Sequence, residues 1–262
     1  MASGKIGLCL SPPNVRNTAS YNLKASSCTT TIPHRHSHRH SLCNETLSHL
    51  QNSGVIACLR APSAELALGA ARAALFGGIK VLEVVVSTPS LFEVLDQLVK
   101  EFPTMTLGVG TILKSEDAKE AIKAGAKFLM SPAMITDVHS DVKDSKVLYI
   151  PGVMTPTEIL NAYNTGARIV KIYPVSALGG VEYISALKKP FHHIPMVASQ
   201  GIKIGQVREY ITRGASSVVL SDAIFDKEAV AHGNFEYISR QAQLAASTGD
   251  EAVKQLKLTR GQ

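Results

Sequence analysis

The fold this 262-residue sequence predicts is an α/β barrel of eight parallel strands. Three observations predict it. Eight short runs rich in β-branched and apolar residues recur between Gly54 and about Phe225. Stretches with helical spacing separate most of them. The runs are apolar throughout rather than alternating, as strands covered on both faces of a parallel sheet must be. Eight βα units in about 175 residues suit a compact (β/α)8 TIM barrel. A doubly wound open sheet is the runner-up, but no Gly-rich dinucleotide fingerprint follows any run.

Taken in order, the first run is Val55–Arg60, and Ser63 ahead of Ala64-Glu65 marks the start of the helix after it. Gly77-Gly78 closes that helix, since glycine readily takes the left-handed conformation that ends one. Val81–Val86 is the second run. Thr106–Thr111 is the third, followed by a helix opened at Ser115 before Glu116-Asp117 and closed at Gly125. Phe128–Ser131 and Val147–Val153 are the fourth and fifth. Thr155-Pro156-Thr157-Glu158 then has the form of a capping box with proline in the first turn, and Gly166 ends that helix. Ile169–Pro174, Pro195–Ser199 and Ser217–Leu220 complete the set, with Gly214 before the last. Residues 227–257 continue helically, with apolar positions at Ala229, Val230, Ile238, Ala242, Leu244, Ala245, Val253 and Leu256. They read as a packing or assembly extension, which places the barrel at 49–226 and the extension at 227–262.

Charge is uneven along the chain. Of the 27 basic residues, five (Lys5, Arg16, Lys24, Arg35, Arg39) lie in residues 1–44, where no acidic residue occurs. The remainder holds 22 basic against 21 acidic residues, so the body gives no case for a nucleic-acid partner. No run approaches the roughly 18 consecutive apolar residues of a membrane span. Residues 1–48, rich in Ser, Thr, Asn and Pro, read as a transit peptide cleaved between 28 and 48. Few arginines and many hydroxyls favour a plastid, with the mitochondrion as the alternative; a disordered tail that stays attached is the plain reading. Three of the four cysteines (Cys9, Cys28, Cys43) fall there, leaving Cys58 in the body, so no internal disulfide and no metal-type spacing is expected. The cluster His34-Arg35-His36-Ser37-His38-Arg39-His40 belongs to the same leader and is read as leader composition rather than a metal site.

Chemistry enters with two ionisable residues in apolar runs. Lys171 stands in Ile169-Val170-Lys171-Ile172-Tyr173-Pro174, and Glu83 in Val81-Leu82-Glu83-Val84-Val85-Val86. Such residues are almost never fully buried unless paired or used. Burial disfavours an ammonium, so a lysine in such a place can serve as a neutral amine, which attacks a carbonyl to give a Schiff base. Alternation along the strand puts Glu83, Val85 and Ser87 on one face, and Ile169, Lys171 and Tyr173 on one face. If both faces point inward, Lys171 and Glu83 meet near the barrel axis. Thr111, Pro132, Ser199 and Ser221 fall at the carboxyl ends of strands, where barrels of this kind carry their sites. The plain alternatives are a lysine snorkelling outward from a strand edge and a glutamate that only neutralises it.

Leu82-Glu83-Val84 within Gly78–Thr88, Gly108-Val109-Gly110-Thr111, Ser131-Pro132, Ile150-Pro151-Gly152-Val153 and Val170-Lys171-Ile172-Tyr173-Pro174 before Gly179-Gly180 occur in that order. Together they resemble the class I 2-keto-3-deoxy-6-phosphogluconate (KDPG) and 4-hydroxy-2-oxoglutarate (KHG) aldolases, over about residues 50 to 230. The resemblance implies a Schiff-base lysine at Lys171 and a general acid/base at Glu83. It implies a pyruvyl site lined by Thr111 and Pro132, an aromatic neighbour in Tyr173, and a hydroxyl contact to the substrate chain in Ser199. It also implies a small-molecule 2-oxo acid substrate, no cofactor or metal, and a homotrimer. Three departures stand out. Ser87 occupies the place of an arginine that holds the substrate carboxylate, a charged clamp serine cannot replace. Ser199-Gln200-Gly201 replaces a glycine pair after the seventh run, leaving Gly201 as the substrate-binding glycine, and Ser221-Asp222-Ala223 replaces Gly-Gly-Ser after the eighth. Those glycine turns cradle a phosphate through backbone N–H groups. An unphosphorylated acid such as 4-hydroxy-2-oxoglutarate therefore rivals the phosphogluconate. A diverged, non-catalytic barrel that binds a metabolite or acts as an assembly partner is the reading from another class.

Overall fold

The fifth expected strand is divided in two, and the division closes the barrel. The computed structural model describes residues 35–143 and 145–260. Its strands are β1 (Val55–Leu59), β2 (Val81–Val85), β3 (Thr106–Gly110), β4 (Phe128–Met130), β5 (Leu148–Ile150), β6 (Gly152–Val153), β7 (Val170–Ile172), β8 (Met196–Ser199) and β9 (Ser217–Leu220). They form one parallel sheet in the order β5-β4-β3-β2-β1-β9-β8-β7-β6. β5 and β6, at its two ends, are the halves of a single strand interrupted at Pro151. Ser131 N–H donates to the Ile150 carbonyl at 3.2 Å, and Lys171 N–H donates to the Pro151 carbonyl at 2.8 Å. Consecutive carbonyls thus serve opposite neighbours, and the ring closes through Pro151, which has no N–H to leave unpaired. This is the expected (β/α)8 barrel.

Side-chain alternation sorts each strand into an inner and an outer set. Ile56, Val81, Phe128, Met130, Leu148, Ile150, Ile169, Val197 and Val219 fill the interior as one apolar cluster. A separate and larger cluster lies between the strands and the surrounding helices. The inner set holds Glu83 and Lys171 near its upper end, as the face argument requires.

The helices are α1 (Arg35–Ser53), α2 (Ala64–Phe76), α3 (Leu91–Glu101), α4 (Ser115–Lys123), α5 (Thr136–Val142), α6 (Pro156–Thr165), α7 (Gly180–Lys188), α8 (Val207–Thr212), α9 (Lys227–Ala231) and α10 (Phe235–Arg260). Local sequence accounts for their ends. Ser63 Oγ accepts from Leu66 N–H at 3.2 Å. Thr155 and Glu158 form the expected capping box, with Pro156 in the first turn. Gly166 ends α6 at φ +114°, a backbone that L side chains rarely adopt. The cap of α4 is Lys114 rather than Ser115, a shift of one residue. Leu91, Val94, Leu95 and Leu98 bury one stripe of α3 at the spacing of a helix lying on a sheet.

Two terminal helices complete the barrel. α10 packs against α2 and α8, in the place of the helix that follows the eighth barrel strand. Ile238, Ala242, Ala245 and Val253 of the expected apolar positions are buried there, whereas Leu244 is 54% exposed. α1 crosses residue 48 and lies against the foot of the barrel. Its Leu50 is fully buried in the interior cluster, with Leu47 and Cys43 packed beside it. His49 Nδ1 lies 3.0 Å from Thr106 Oγ1. The expected leader up to residue 34, with Cys9 and Cys28, lies outside the described residues, as do the side chains of the histidine-rich cluster. Among the described residues, no helix is long and apolar enough to cross a membrane.

Leu50 tests whether α1 belongs to the folded body. Leu50→Ala should lower the unfolding free energy by about 2–5 kcal/mol, read from urea denaturation by circular dichroism. An unchanged midpoint would mean that α1 does not seal the barrel.

Candidate functional site

At the carboxyl end of the sheet the strands open into a cavity of about 940 Å³. All eight residues singled out from the sequence line it: Lys171, Glu83, Thr111, Pro132, Tyr173, Ser199, Ser87 and Gly201. They come from five strands and the turns that follow them, β2, β3 and β4 on one side and β7 and β8 on the other, so only closure of the sheet brings them together.

Lys171 rises from the middle of β7 and is 6% exposed. Its backbone is fixed on both sides, opposite Gly152 of β6 and Val197 of β8. The Nζ lies 5.2 Å from the centre of the Tyr173 ring, two residues on along the same face. An aromatic face attracts a cation, and it also supplies an apolar wall.

Glu83 is buried more deeply, at 2% exposure. It pairs with Cys58 of β1 on one side and with Gly108 of β3 on the other. Space for its carboxyl is made by β3: a Cβ built at Gly110 would fall on Glu83 Oε1, and one at Gly108 would strike the Phe128 ring. The Glu83 Oε2 atom has no hydrogen-bond partner within the protein. A buried carboxyl left in this condition is costly as structure, which fits a group whose partner is a reacting molecule.

A hydroxyl network positions Thr111 and Pro132. Ser131 Oγ donates to the Ile112 carbonyl at 2.7 Å, and Tyr149 OH donates to Ser131 Oγ at 3.0 Å. The turn after β3 is thereby tied to the turn after β4. Glycine at 152 is needed here as well, because a Cβ would fall on the Pro132 carbonyl. Across the mouth, Ser176 Oγ donates to Gln200 Oε1 at 2.6 Å. Gln200 holds a left-handed backbone at φ +87°.

Three ionisable lining residues escaped the sequence reading: Cys58, Arg60 and Lys227. The first two follow from the alternation already applied, since Ile56, Cys58 and Arg60 share the inward face of β1 and its end. Lys227 lies just past the boundary set at residue 226. The Arg60 guanidinium is exposed to the cavity and enters no ion pair among the described residues. Ala61 N–H donates to Thr88 Oγ1 at 3.4 Å, which holds the Arg60 turn beside Ser87. Among the described residues, no cluster of three or more His, Cys, Asp or Glu could hold a metal ion.

With this geometry in view, a family model described as KDPG and KHG aldolase matches residues 47–241. A 2-dehydro-3-deoxy-phosphogluconate aldolase of Treponema pallidum is 30% identical over 194 residues, 74% of this chain and 92% of its own length. A KHG/KDPG aldolase of Escherichia coli K12 is 27% identical over 194 residues, covering 74% and 88% respectively. Among solved structures, the KDPG aldolase of Legionella pneumophila, with pyruvate captured at low pH as a covalent carbinolamine intermediate, is similar at a TM-score of 0.71. The two are 27% identical, over 76% of this chain and 96% of that one.

Cys58 reports on the electrostatics of the pocket. Burial pushes its thiol well above the ordinary range, and the neighbouring Glu83 carboxylate pushes the same way. The thiolate is the nucleophile. Peptide-resolved alkylation with iodoacetamide should therefore be slower at pH 8 for Cys58 than for the same cysteine in unfolded chain, and its rate should go on rising with pH beyond about 8.5, where the unfolded thiol levels off. Glu83→Gln removes one upward push and should move that rise to lower pH. Labelling at the unfolded rate would contradict this environment.

Proposed function

The chain belongs to the KDPG and KHG aldolase family, and from that premise we propose that it cleaves a 2-oxo-3-deoxy acid to pyruvate and an aldehyde through a Schiff base on Lys171. The observation that carries the reading is one amine and one carboxyl, 6% and 2% exposed, lining the same cavity, with one carboxyl oxygen, Oε2, left without a hydrogen-bond partner.

The steps follow from those two groups. The Lys171 amine adds to the C2 carbonyl, and loss of water leaves a protonated imine. Glu83 takes the proton of the C4 hydroxyl. The C3–C4 bond breaks, its electron pair moves into the imine as an enamine, and the aldehyde departs. Glu83 returns the proton to C3, and water releases pyruvate and the free amine. A proton shuttle of this kind contributes on the order of 10²–10⁴ in rate.

The carboxylate of the pyruvyl unit is assigned to the side of the mouth formed by Thr111 and Pro132. There Arg60 supplies the guanidinium that Ser87 lacks. Its unpaired state and its position beside Ser87 support this role, and a guanidinium recognises a carboxylate with two parallel bonds. The acid-free, hydroxyl-rich residues 1–44 support targeting to a plastid, and the family resemblance supports a trimer.

Borohydride reduction with pyruvate should add mass to the peptide that contains Lys171, and Lys171→Ala should abolish the adduct. Glu83→Gln should lower cleavage by about 10²–10⁴-fold while leaving the adduct in place. An adduct on another lysine, or none, would remove the mechanism.

A further inference from the structure

With the carboxylate end assigned to the β2–β4 side, the aldehyde end faces the opposite arc of the mouth, at the ends of β8 and β9. Gln200, Ser221 and Asp222 line that arc. Ser176, from the turn after β7, joins it through its bond to Gln200.

Gln200 holds a conformation that a non-glycine residue adopts at a cost, φ +87°. Ser176 fixes the amide within that conformation. Its hydroxyl donates to Gln200 Oε1 at 2.6 Å, so the Gln200 amide NH₂ is the end left to donate. Gly201 follows at φ +73°, where any Cβ would press on Ser176, which keeps the turn close to that serine. Asp222 contributes a carboxylate that is exposed to the cavity and enters no ion pair among the described residues. Ser221 adds a hydroxyl, which both donates and accepts.

The arc therefore offers donors and acceptors together. A hydroxyl group needs both. A phosphate dianion at neutral pH offers acceptors almost alone, and it would set its charge beside that of Asp222. Lys227 and Arg60 line the same cavity, but Arg60 is assigned above to the substrate carboxylate, and Lys227 makes no ion pair with Asp222 among the described residues.

Resting on the aldolase reading above, we propose that Gln200, pinned by Ser176, and Asp222 are the specificity-determining residues for the aldehyde end of the substrate. They select an uncharged, hydroxyl-bearing tail over a phosphorylated one.

The test compares kcat/KM on an unphosphorylated six-carbon 2-oxo-3-deoxy sugar acid, its 6-phosphate, and the five-carbon 4-hydroxy-2-oxo dicarboxylate. The full chain should favour the unphosphorylated sugar acid over the phosphate by about tenfold or more, one like-charge contact at intermediate dielectric. The double variant Gln200→Gly, Asp222→Asn should narrow that ratio by a similar factor. It should remain folded, because glycine takes the same φ freely and asparagine keeps the size of aspartate. A preference for the phosphate or the dicarboxylate in the unaltered chain overturns the proposal, and so does a ratio that the double variant leaves unchanged. Pyruvate trapping on the unaltered chain separates the two levels, since pyruvate has no tail. Trapping with the wrong preference defeats only the tail assignment. Absence of trapping defeats the aldolase reading and this proposal with it.

Discussion

Two ionisable side chains inside a closed parallel sheet set the terms for everything around them. Lys171 and Glu83 sit where a barrel of this size normally places Val, Ile or Leu, and removing charge from water is among the larger costs a fold can carry. The neighbouring strands are shaped to that demand. Gly108 and Gly110 withdraw their side chains so that the Glu83 carboxyl and the Phe128 ring can share one layer. Gly152 lets the Pro132 carbonyl approach the β6 backbone opposite Lys171. Below them the apolar cluster reaches down to Leu50 of α1, and the pair faces the open mouth.

That arrangement divides labour between strands and turns. In the proposed mechanism the strands hold the reacting groups, whose positions follow from backbone pairing. The turns hold the residues assigned in that proposal to the rest of a ligand: Arg60 beside Ser87 on one side, Gln200 and Asp222 on the other. The departures in this chain, at Ser87, Gln200 and Asp222, all lie in turns, whereas Lys171 and Glu83 lie in strands.

Much of this was legible in the residues. Eight apolar runs gave eight barrel strands because burial on both faces leaves an unmistakable composition, and alternation placed Glu83 and Lys171 on inward faces. Three features were harder to read. The break at Pro151 depends on which neighbour each carbonyl serves, a tertiary fact. The tail after residue 226 carries the same spacing whether it extends the barrel or completes it, and only its seat between α2 and α8 decides. Leu244 followed the apolar pattern of α10 yet is exposed. Arg60 was readable in principle from the parity of β1, but a cation at a strand end is ordinary on a surface. The left-handed backbone of Gln200 has no local mark beyond the glycine that follows it.

The central claim is that Lys171 and Glu83 act on one substrate, the first by forming an imine at C2 and the second by moving a proton at the C4 hydroxyl and at C3. Exchange of the pyruvate methyl protons in deuterated water, followed by proton NMR, measures both at once, because exchange needs the enamine and a base at C3. The account predicts exchange with the unaltered chain, none with Lys171→Ala, and a rate lowered by about 10²–10⁴-fold with Glu83→Gln. Exchange that persists without the lysine, or that ignores loss of the carboxylate, would contradict it.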